Sequence, residues 1–587
     1  MTTRMVTTDE KVRSLELLYR VGIALSAERN KDRLLEMILV EAQTLCNADG
    51  GTLYLTTDDD QLKFAIMRTD SLGIALGGTT GAPIAFPAIP ITDVVTGQQN
   101  LKNVATAAAL LKRSVNIPDA YHAAGFDFSG TKAFDAKNNY RSKSFLAIPL
   151  VNGEGLVIGV LQLLNARDPA TGELIAFAEE HQRIVEALAS QAGIALDNQL
   201  LLDGQRQLLE SFIKAIASAI DAKSAHTGGH CERVPILTEM LAQAACDATD
   251  GPLAAFSLSE EEWYELRIAA WMHDCGKVTT PVHVMDKSTK LETIFDRIEV
   301  VRARVEVLKR DAEIEMLRAE AAPGADHAAL RAAFEKKVEE LSAELALIEK
   351  SNIGGEFLEP EKQAKIAEIG RRSVVQNGEP RPLLSPDEVK NLTISRGTLT
   401  AEERLVINGH MVQTINMLEA LPFPRNLRRV PEYAGGHHEK MDGTGYPRGL
   451  FASDMSVPAR LMAISDVFEA LTAQDRPYKS AKKLSDTMRI MGAMKRDNHL
   501  DPDLFDLFIS SGVYRDYAKR YLPAALLDDV DEAGLLAITP KPFGLPDADA
   551  RRARSRDFLP EYRTTEPPRV SRLASSRTSL LPTTRRS

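Results

Sequence analysis

Residues 437–447 read His-His-Glu-Lys-Met-Asp-Gly-Thr-Gly-Tyr-Pro, so two adjacent histidines stand directly before a glycine-rich turn. Histidine is the commonest protein ligand of metal ions. Gly443, Gly445 and Pro447 are typical of a sharp turn, because glycine adopts backbone conformations that other residues avoid and proline fixes one dihedral angle. The segment therefore predicts metal ligands followed by a tight turn.

Four more groups of polar residues lie within helix-patterned, largely apolar sequence. They are His226-Thr-Gly-Gly-His230, His273-Asp274-Cys-Gly-Lys277, the lone His410 and the lone Asp466. A single histidine of this kind is more often a hydrogen-bonded core residue than a ligand. Five groups together favour a shared metal centre, because an uncompensated polar group is expensive to bury.

Length and hydropathy exclude several classes of protein. A chain of 587 residues exceeds a single hydrophobic core, so we expect two or three domains. Its apolar runs are shorter than the about 20 residues that cross a bilayer. It also opens without a secretory pattern. We therefore expect a cytoplasmic protein with no membrane partner.

Charge and cysteine content narrow the function further. A formal net charge of −11 argues against nucleic acid as a partner. An anionic substrate then needs local positive charge, from metal ions or from a few lysines and arginines. The sequence has four cysteines, namely Cys46, Cys231, Cys246 and Cys275. They are too scattered for a disulfide framework or a zinc site.

The pattern along the chain predicts a multidomain protein. Residues 12–183 open with a helix and then alternate β-rich stretches with turns, which predicts an α+β domain. Residues 221–540 carry helix patterns and most of the histidines, which predicts an all-α domain. Residues 541–587 are rich in arginine, serine and proline without an apolar period, so we expect a disordered tail.

Residues 184–220 are the predicted connection between these domains, a single long helix with Gly193 and Gly204 as weak points. Its apolar stripe consists of Val185, Leu188, Ala192, Leu196, Leu208, Phe212 and Ile216. A stripe of this kind between two domains favours burial against a second copy, so we expect a coiled-coil homodimer. Packing of the stripe on its own domain is the alternative.

Residues 292–395 form a predicted insert in the all-α domain. Apolar residues follow the alternating four and three spacing of packed helices over 294–308 and 334–348, and Ala322-Pro-Gly-Ala separates the two runs. We therefore expect an antiparallel helical hairpin that projects from the domain, followed by loop over 352–386. Its apolar stripe is expected to pack on the domain, on a second copy or on a protein partner.

Together these motifs resemble the HD-GYP family of phosphodiesterases. The pattern is His-Asp-x-Gly-Lys at 273–277, a later lone histidine, His-His-Glu-x-x-Asp-Gly-x-Gly-Tyr-Pro at 437–447 and a distal aspartate. The likeness covers about residues 211–502 outside the insert. It implies an HD-type metallophosphohydrolase domain that converts cyclic di-GMP to the linear dinucleotide pGpG, and in some members to GMP.

The resemblance also implies the ligands of two divalent metal ions. One ion is held by His230, His273, Asp274 and Asp466. The second is held by Asp274, His410, His437 and His438. A carboxylate has two oxygens and can bridge two ions. Imidazole and carboxylate ligands suit iron or manganese, and we favour iron. Such a pair activates water for attack on phosphorus.

One position departs from the family pattern. Members credited with a third metal have a glutamate four residues before His230, and this sequence has His226 there. His226 could bind a metal, hydrogen-bond a substrate or cap a helix. The sequence therefore predicts two metal ions and leaves open whether a third binds near His226.

Cationic residues near the motifs supply the local positive charge. By the resemblance, Lys277 holds the scissile phosphodiester and acts in catalysis beside Asp274. By the same resemblance, Arg476 and Lys479 hold the second phosphate of the substrate. The alternative is that both are ordinary charged residues of a loop. Tyr446 either stacks on a guanine or faces a protein partner.

The first domain resembles a GAF domain through Tyr140-Arg-Ser-Lys-Ser-Phe-Leu-Ala-Ile-Pro149 and Gly159-Val-Leu-Gln-Leu-Leu-Asn165. Such domains bind small molecules, so we expect an unknown small-molecule ligand. A GAF fold that serves only dimerisation is the alternative.

The sequence thus predicts a cyclic di-GMP phosphodiesterase controlled by a GAF sensor, with a protein partner at the turn near Tyr446 or at the insert. Two alternatives stay open. The same site could act on another cyclic dinucleotide, such as cyclic GMP-AMP, or the chain could be a non-catalytic signalling protein that binds the nucleotide. The presence of every expected ligand argues against the non-catalytic alternative.

Overall fold

The computed structural model describes residues 19–93, 96–223, 229–355, 357–473 and 482–565. The chain forms two compact units, Met1–Leu209 and Glu210–Ser587. No helix in these described ranges is long and apolar enough to cross a membrane.

The first unit is an antiparallel sheet with helices around it. Its helices are α1 (residues 19–27), α2 (Lys31–Cys46), α3 (Val104–Leu111), α4 (Ser129–Asn138) and the first part of α5 (Glu179–Lys223). Its strands are β1 (Ala48–Thr56), β2 (Gln61–Thr69), β3 (Ile74–Gly77), β4 (Ile89–Pro90), β5 (Val115–Ile117), β6 (Phe145–Val151), β7 (Val157–Arg167) and β8 (Leu174–Ile175). The strand order is β3-β2-β1-β7-β6-β5, with β4 beside β2 and β8 beside β7. The expected α+β domain is confirmed.

The main core of this unit forms where α2 and α5 pack on the sheet. The α2 residues that face this core recur at helical spacing, and they are Leu34, Leu35, Ile38, Leu39 and Ala42. α2 begins after Asn30, whose side chain accepts a hydrogen bond from the Arg33 amide at 3.0 Å. On the sheet, Leu53 of β1 lies opposite Leu161 of β7, and both are fully buried. The first part of α5 packs on this sheet in the same core.

α5 is one continuous helix of 45 residues, so Gly193 and Gly204 do not interrupt it. The predicted apolar stripe divides into two parts. The part buried in the core of the first unit consists of Val185, Leu188, Ala192 and Leu196. The exposed part consists of Leu208, Phe212 and Ile216. The first part therefore packs on its own domain, and the coiled-coil homodimer stays a prediction that concerns the second part.

The second unit is largely helical, which confirms the expected fold of this domain. After the end of α5 its helices are α6 (His230–Cys246), α7 (Glu260–Met272), α8 (Val282–Met285), α9 (Ile298–Glu320), α10 (His327–Asn352), α11 (Pro360–Gly370), α12 (Pro386–Leu392), α13 (Ala401–Asn408), α14 (His410–Ala420), α15 (Val430–Gly435), α16 (Val457–Thr472), α17 (Leu484–Arg496), α18 (Pro502–Ser510), α19 (Val513–Tyr521), α20 (Glu532–Leu536) and α21 (Ala548–Arg556). Its strands β9 (Ser373–Gln376) and β10 (Glu379–Pro382) pair with each other. α6, α7, α14, α15 and α16 pack together and carry the candidate site.

The insert begins with the predicted helical hairpin, formed by α9 and α10. The two helices share a core that contains Val301, Val305, Leu341 and Ile348. The ends of the insert meet, because the Lys290 ammonium group donates to the Leu392 carbonyl at 3.1 Å and to the Ile394 carbonyl at 2.7 Å.

The expectation of loop over residues 352–386 is wrong, because α11 and the β9–β10 hairpin lie there. Pro360 starts α11 at the position where proline suits a helix. Asn377 and Gly378, both with positive φ, form the two-residue connection typical of a β-hairpin. Buried residues of these elements join the core of α9 and α10. The Asn-Gly pair is the sequence signal that indicates this hairpin.

The expectation of disorder over residues 541–587 is wrong for 541–565, the part that the structure describes. α21 begins after Asp547, whose side chain accepts a hydrogen bond from the Ala550 amide at 2.8 Å. A 3₁₀ turn follows at Pro560–Thr565. Leu559 and the buried Tyr562 anchor the segment, and such anchors are easily overlooked in a composition dominated by arginine. Residues 566–587 lie outside the described residues.

Candidate metal centre

The seven predicted ligands lie at or near the ends of four helices and inside a fifth. They are His230 at the start of α6, His273 and Asp274 after α7, His410 at the start of α14, His437 and His438 after α15, and Asp466 within α16. α7 begins with a capping box between Ser259 and Glu262, which fixes the start of the helix that leads to His273. The helix ends thus deliver the ligand side chains to one place.

The turn after Asp274 lies directly against the first turn of α14. A β-carbon at Gly276 would lie 2.0 Å from the His410 carbonyl oxygen, so only glycine fits there. The Gly276 amide also donates to the Thr414 hydroxyl at 2.9 Å. This close approach brings Asp274 beside His410 and explains the glycine in the His-Asp-x-Gly-Lys pattern.

The ligand atoms form two groups that share Asp274. Within each group the atoms lie within 4.8 Å of one another. The first group is His230, His273, Asp274 and Asp466. The second group is Asp274, His410, His437 and His438. These are the two sets that the sequence analysis assigned to two ions, and all the residues except the half-buried His438 are buried.

The two oxygens of Asp274 face different groups. Its Oδ1 lies 3.3 Å from Nε2 of His410. Its Oδ2 lies 3.4 Å from Nε2 of His230 and 3.3 Å from Nε2 of His273. Asp466 completes the first group, with Oδ1 3.2 Å from Nε2 of His230. This is the orientation that a carboxylate needs to bridge two cations.

Backbone carbonyls hold three of the histidine rings. Nδ1 of His273 lies 2.7 Å from the Ala270 carbonyl, Nδ1 of His410 lies 2.6 Å from the Ile407 carbonyl, and Nδ1 of His437 lies 2.7 Å from the Ala434 carbonyl. A carbonyl only accepts hydrogen bonds, so Nδ1 carries the proton in each ring. The Nε2 lone pairs therefore point into the centre, as in metal-binding histidines.

The centre fits a cation because its acceptors face one another. Among the described residues, Nε2 of His273, His410 and His437 and Oδ1 of Asp274 are buried and have no hydrogen-bond partner. A lone pair that faces a carboxylate oxygen at about 3 Å is unfavourable unless positive charge lies between them. Divalent metal ions supply that charge and satisfy all four atoms at once.

Burial keeps two histidines of the second group neutral. It lowers the pKa of His437 to about 4. Burial and the neighbouring His437 hold the pKa of His438 well below its ordinary value. Burial alone would raise the pKa of Asp274, but the charge of Lys277 holds it well below its usual range. Neutral imidazoles and an ionised carboxylate are the forms that bind metal.

Two cysteines near the centre are not suited to be ligands. Burial raises the pKa of the Cys275 thiol to about 12, and it raises the pKa of the Cys231 thiol further. Both stay protonated at neutral pH, and only the thiolate binds metal well. The donor set is therefore imidazole and carboxylate, which suits iron or manganese better than structural zinc.

The structure describes some of the predicted substrate residues and not others. Lys277 forms an ion pair with Asp274, and its side chain is partly exposed. Tyr446 stacks on His438 with ring centroids 4.9 Å apart, and it also stacks against Tyr562 at 6.1 Å. Arg476, Lys479 and the candidate third-metal residue His226 lie outside the described residues.

Two residues that hold His230 were not predicted from the sequence. Nδ1 of His230 pairs with the carboxylate of Glu469, which is almost fully buried. Arg233 holds the other carboxylate oxygen, with Nε 2.7 Å from Oε1 of Glu469. A signal existed, because Glu469 follows Asp466 by three residues on the apolar helix α16 and so lies on the same face.

Comparison with known domain families identifies both units of the chain. Residues 30–196 match the GAF domain and residues 383–504 match the HD domain. The expected GAF domain is thus confirmed, and so is an HD domain, whose matched range contains His410, His437, His438 and Asp466. The HD match and the two His/Asp groups together indicate binding of divalent metal.

Similar proteins have related names. The chain is 38% identical over 127 residues to a 3'3'-cGAMP-specific phosphodiesterase 1 of Vibrio cholerae, covering 22% of this chain and 28% of the relative. It is 24% identical over 326 residues to the 3'3'-cGAMP-specific phosphodiesterase 3 of the same organism, covering 55% and 42%. It is 37% identical over 158 residues to a cyclic di-GMP phosphodiesterase of Pseudomonas aeruginosa, covering 27% and 36%. The chain thus spans less than half the length of each of these relatives.

Proposed function

We propose that this chain, with its GAF domain followed by an HD domain, is a metal-dependent phosphodiesterase that hydrolyses cyclic di-GMP to pGpG and onward in part to GMP. The observation that carries the proposal is the shared, buried Asp274, with one oxygen toward each group of histidines. Within the part of the chain that the structure describes, the Nε2 atoms of His273, His410 and His437 have no hydrogen-bond partner.

Each part of the centre has a defined task in this proposal. Two divalent metal ions, when bound, lower the pKa of water and neutralise charge on a phosphodiester. The residues that would hold them are the two ligand groups that meet at Asp274. Glu469 keeps the proton on Nδ1 of His230, so its Nε2 stays available as a ligand. We propose iron as the metal, with manganese as the substitute, because the donors are imidazole and carboxylate.

Lys277 is the proposed contact to the scissile phosphate. Its ammonium group lies at Asp274 and is partly exposed, so it is near the centre without belonging to either ligand group. Once metal ions neutralise Asp274, the ammonium group is available for a phosphate oxygen. Arg476 and Lys479 keep their proposed role at the second phosphate through the resemblance alone.

A second candidate substrate is 3'3'-cGAMP. Two of the three relatives described above are named for that nucleotide, and the third is named for cyclic di-GMP. The two substrates share the phosphodiester ring and differ in one base. The choice between them therefore depends on residues that contact the bases, and the metal centre serves both.

Regulation and assembly are further parts of the proposal. The GAF domain is proposed to bind a small molecule that controls hydrolysis. A homodimer is proposed to form through the exposed apolar part of α5, around Phe212. A protein partner is proposed for the insert, whose exposed apolar residues include Ile294, Phe295 and Leu317. A cytoplasmic location stays a prediction of the sequence.

The test is a hydrolysis assay on protein purified without oxygen, with metal content measured on the same sample. Cyclic di-GMP and 3'3'-cGAMP are supplied separately and then in competition, and the products are identified by mass spectrometry. We expect pGpG from cyclic di-GMP, at a rate that follows the metal content. Asp274→Ala should be inactive although folded, because the helices keep their apolar faces. A protein loaded with two metal ions that cleaves neither nucleotide would contradict the proposal.

A further inference from the structure

The C-terminal segment 547–565 lies on the turn that follows the two adjacent histidines. The Leu559 amide donates to the Pro447 carbonyl at 2.8 Å. The guanidinium of Arg554 lies 5.6 Å from the centre of the Phe451 ring, and that of Arg448 lies 5.5 Å from the Phe558 ring. These contacts hold a segment outside the matched HD domain, 383–504, beside the candidate metal centre.

His438 is held differently from the other ligand histidines. Four of the five rings have an acceptor at Nδ1, which is a backbone carbonyl for three and the Glu469 carboxylate for His230. The described residues show no hydrogen bond to either ring nitrogen of His438. Its ring contacts the rings of His410 and His437 on the side of the centre, and Tyr446 stacks on it with planes 17° apart. The orientation of this ligand therefore depends on a stack of rings.

Tyr562 is the outer member of that stack. Its ring lies 6.1 Å from that of Tyr446, with planes 28° apart, and the residue is only 3% exposed. Its hydroxyl accepts a hydrogen bond from the Asn408 side chain at 3.3 Å. Asn408 ends α13, two residues before the ligand His410. The ring of Tyr562 thus connects to the ligand His438 through Tyr446, and the hydroxyl only adds a contact to α13.

We propose that Tyr562 is a positioning residue for the second ligand group, and that segment 547–565 is a working part of the metal centre. The inference rests on the proposed metal binding of that group. Tyr562 packs behind Tyr446 and prevents it from turning away, so the His438 ring keeps its place. Outer partners of a ligand typically change metal affinity or activity by about 10-fold to 100-fold.

Full-length variants separate this role from general packing. Tyr562→Ala removes the ring, whereas Tyr562→Phe keeps the ring and loses only the hydroxyl. Arg551→Ala is the matched control within the segment, because Arg551 contacts Asp454 and is no part of the ring stack. A chain that ends at Thr565 is the control for residues 566–587, since it keeps Tyr562.

The probe is Mn²⁺ alone, titrated into metal-free protein and followed by calorimetry, with circular dichroism as the check on folding. We expect Tyr562→Ala to bind the first ion as the wild type does and the second about 10-fold or more weakly. Tyr562→Phe, Arg551→Ala and the chain ending at Thr565 should bind both ions within about twofold of the wild type, because each keeps the ring.

Three results would overturn the inference. Unchanged affinity for the second ion in Tyr562→Ala would show that the ring does not position His438. Equal loss of both ions in Tyr562→Ala and Arg551→Ala would show that the segment acts only through general packing. A wild-type protein that binds no second ion would refute the two-ion centre itself, and the proposed function would fail with it.

Discussion

The carboxylate of Asp274 is where the two ligand groups meet. It is 2% exposed, and although burial would raise its pKa, the charge of Lys277 holds that pKa well below the usual range. A buried carboxylate that loses its counter-charges is costly, so the residue requires cations near both oxygens. Lys277 supplies one such charge at Oδ2, and divalent metal ions would supply the others.

The first prediction concerns Lys277. Lys277→Ala should keep two metal ions per chain, because Lys277 belongs to neither ligand group. It should lower kcat/KM for the cyclic dinucleotide by about 10-fold to 100-fold, the value of one charge-assisted hydrogen bond of about 1.5–3 kcal/mol. Metal analysis and steady-state kinetics on the same preparation measure both effects.

Asp274→Ala gives the contrast for this prediction, since it should lose both metal ions and all turnover. If Lys277→Ala loses metal as Asp274→Ala does, Lys277 stabilises the centre and does not act on substrate. Wild-type kcat/KM in Lys277→Ala would remove the residue from the mechanism altogether.

The resemblance to the HD-GYP family was enough to select seven residues whose ligand atoms the structure brings together in two groups, and their binding of metal stays a prediction. It was not enough to find Glu469 as the partner of His230 or Tyr562 as the partner of Tyr446. Those contacts join residues that are far apart in the chain, and they exist only after the helices pack. Arg476, Lys479 and His226 stay predictions, since they lie outside the described residues.

At the scale of the elements, a deletion can test whether the metal centre depends on the insert. Its hairpin, α11, the strands and α12 share one core, and its two ends meet near Lys290. An insert with adjacent ends can be shortened at little cost, since loop closure changes by only about 0.6 kcal/mol per doubling of loop length.

Replacement of residues 292–395 by a short Gly-Ser linker should therefore leave two metal ions and basal hydrolysis in place, while regulation or assembly changes. A smaller deletion of 309–337, the outer part of the hairpin, keeps the core of the insert and serves as the matched control. Metal content, turnover and mass by light scattering are measured for both. Loss of metal in the larger replacement alone would make the base of the insert part of the catalytic domain.

The elements also show where sequence patterns are weak. The long arms α9 and α10 were predicted because many apolar residues repeat at regular spacing. The β9–β10 hairpin and α21 are short and carry few apolar residues, so composition pointed to loop and disorder. The stripe of α5 looked uniform in sequence, but only its first part has a partner in the core of the first unit.

At the scale of the whole molecule, a GAF domain and an HD domain occupy separate compact units of one chain. The sequence was enough to predict the order of the domains and their fold classes. The spacing of apolar residues changes along the chain, from a pattern typical of strands to one typical of helices. The identity of the small molecule proposed to bind the GAF domain did not follow, because pocket chemistry depends on side chains that the fold brings together from several strands.

The central claim is that seven residues hold two metal ions and that Asp274 bridges them. Anomalous diffraction at the metal absorption edge, from crystals of the metal-loaded chain, locates the ions directly and identifies the element. The account predicts two peaks about 3.5–4 Å apart, one within the group of His230, His273 and Asp466 and one within the group of His410, His437 and His438, with Asp274 between them. A single peak, or peaks away from Asp274, would contradict it.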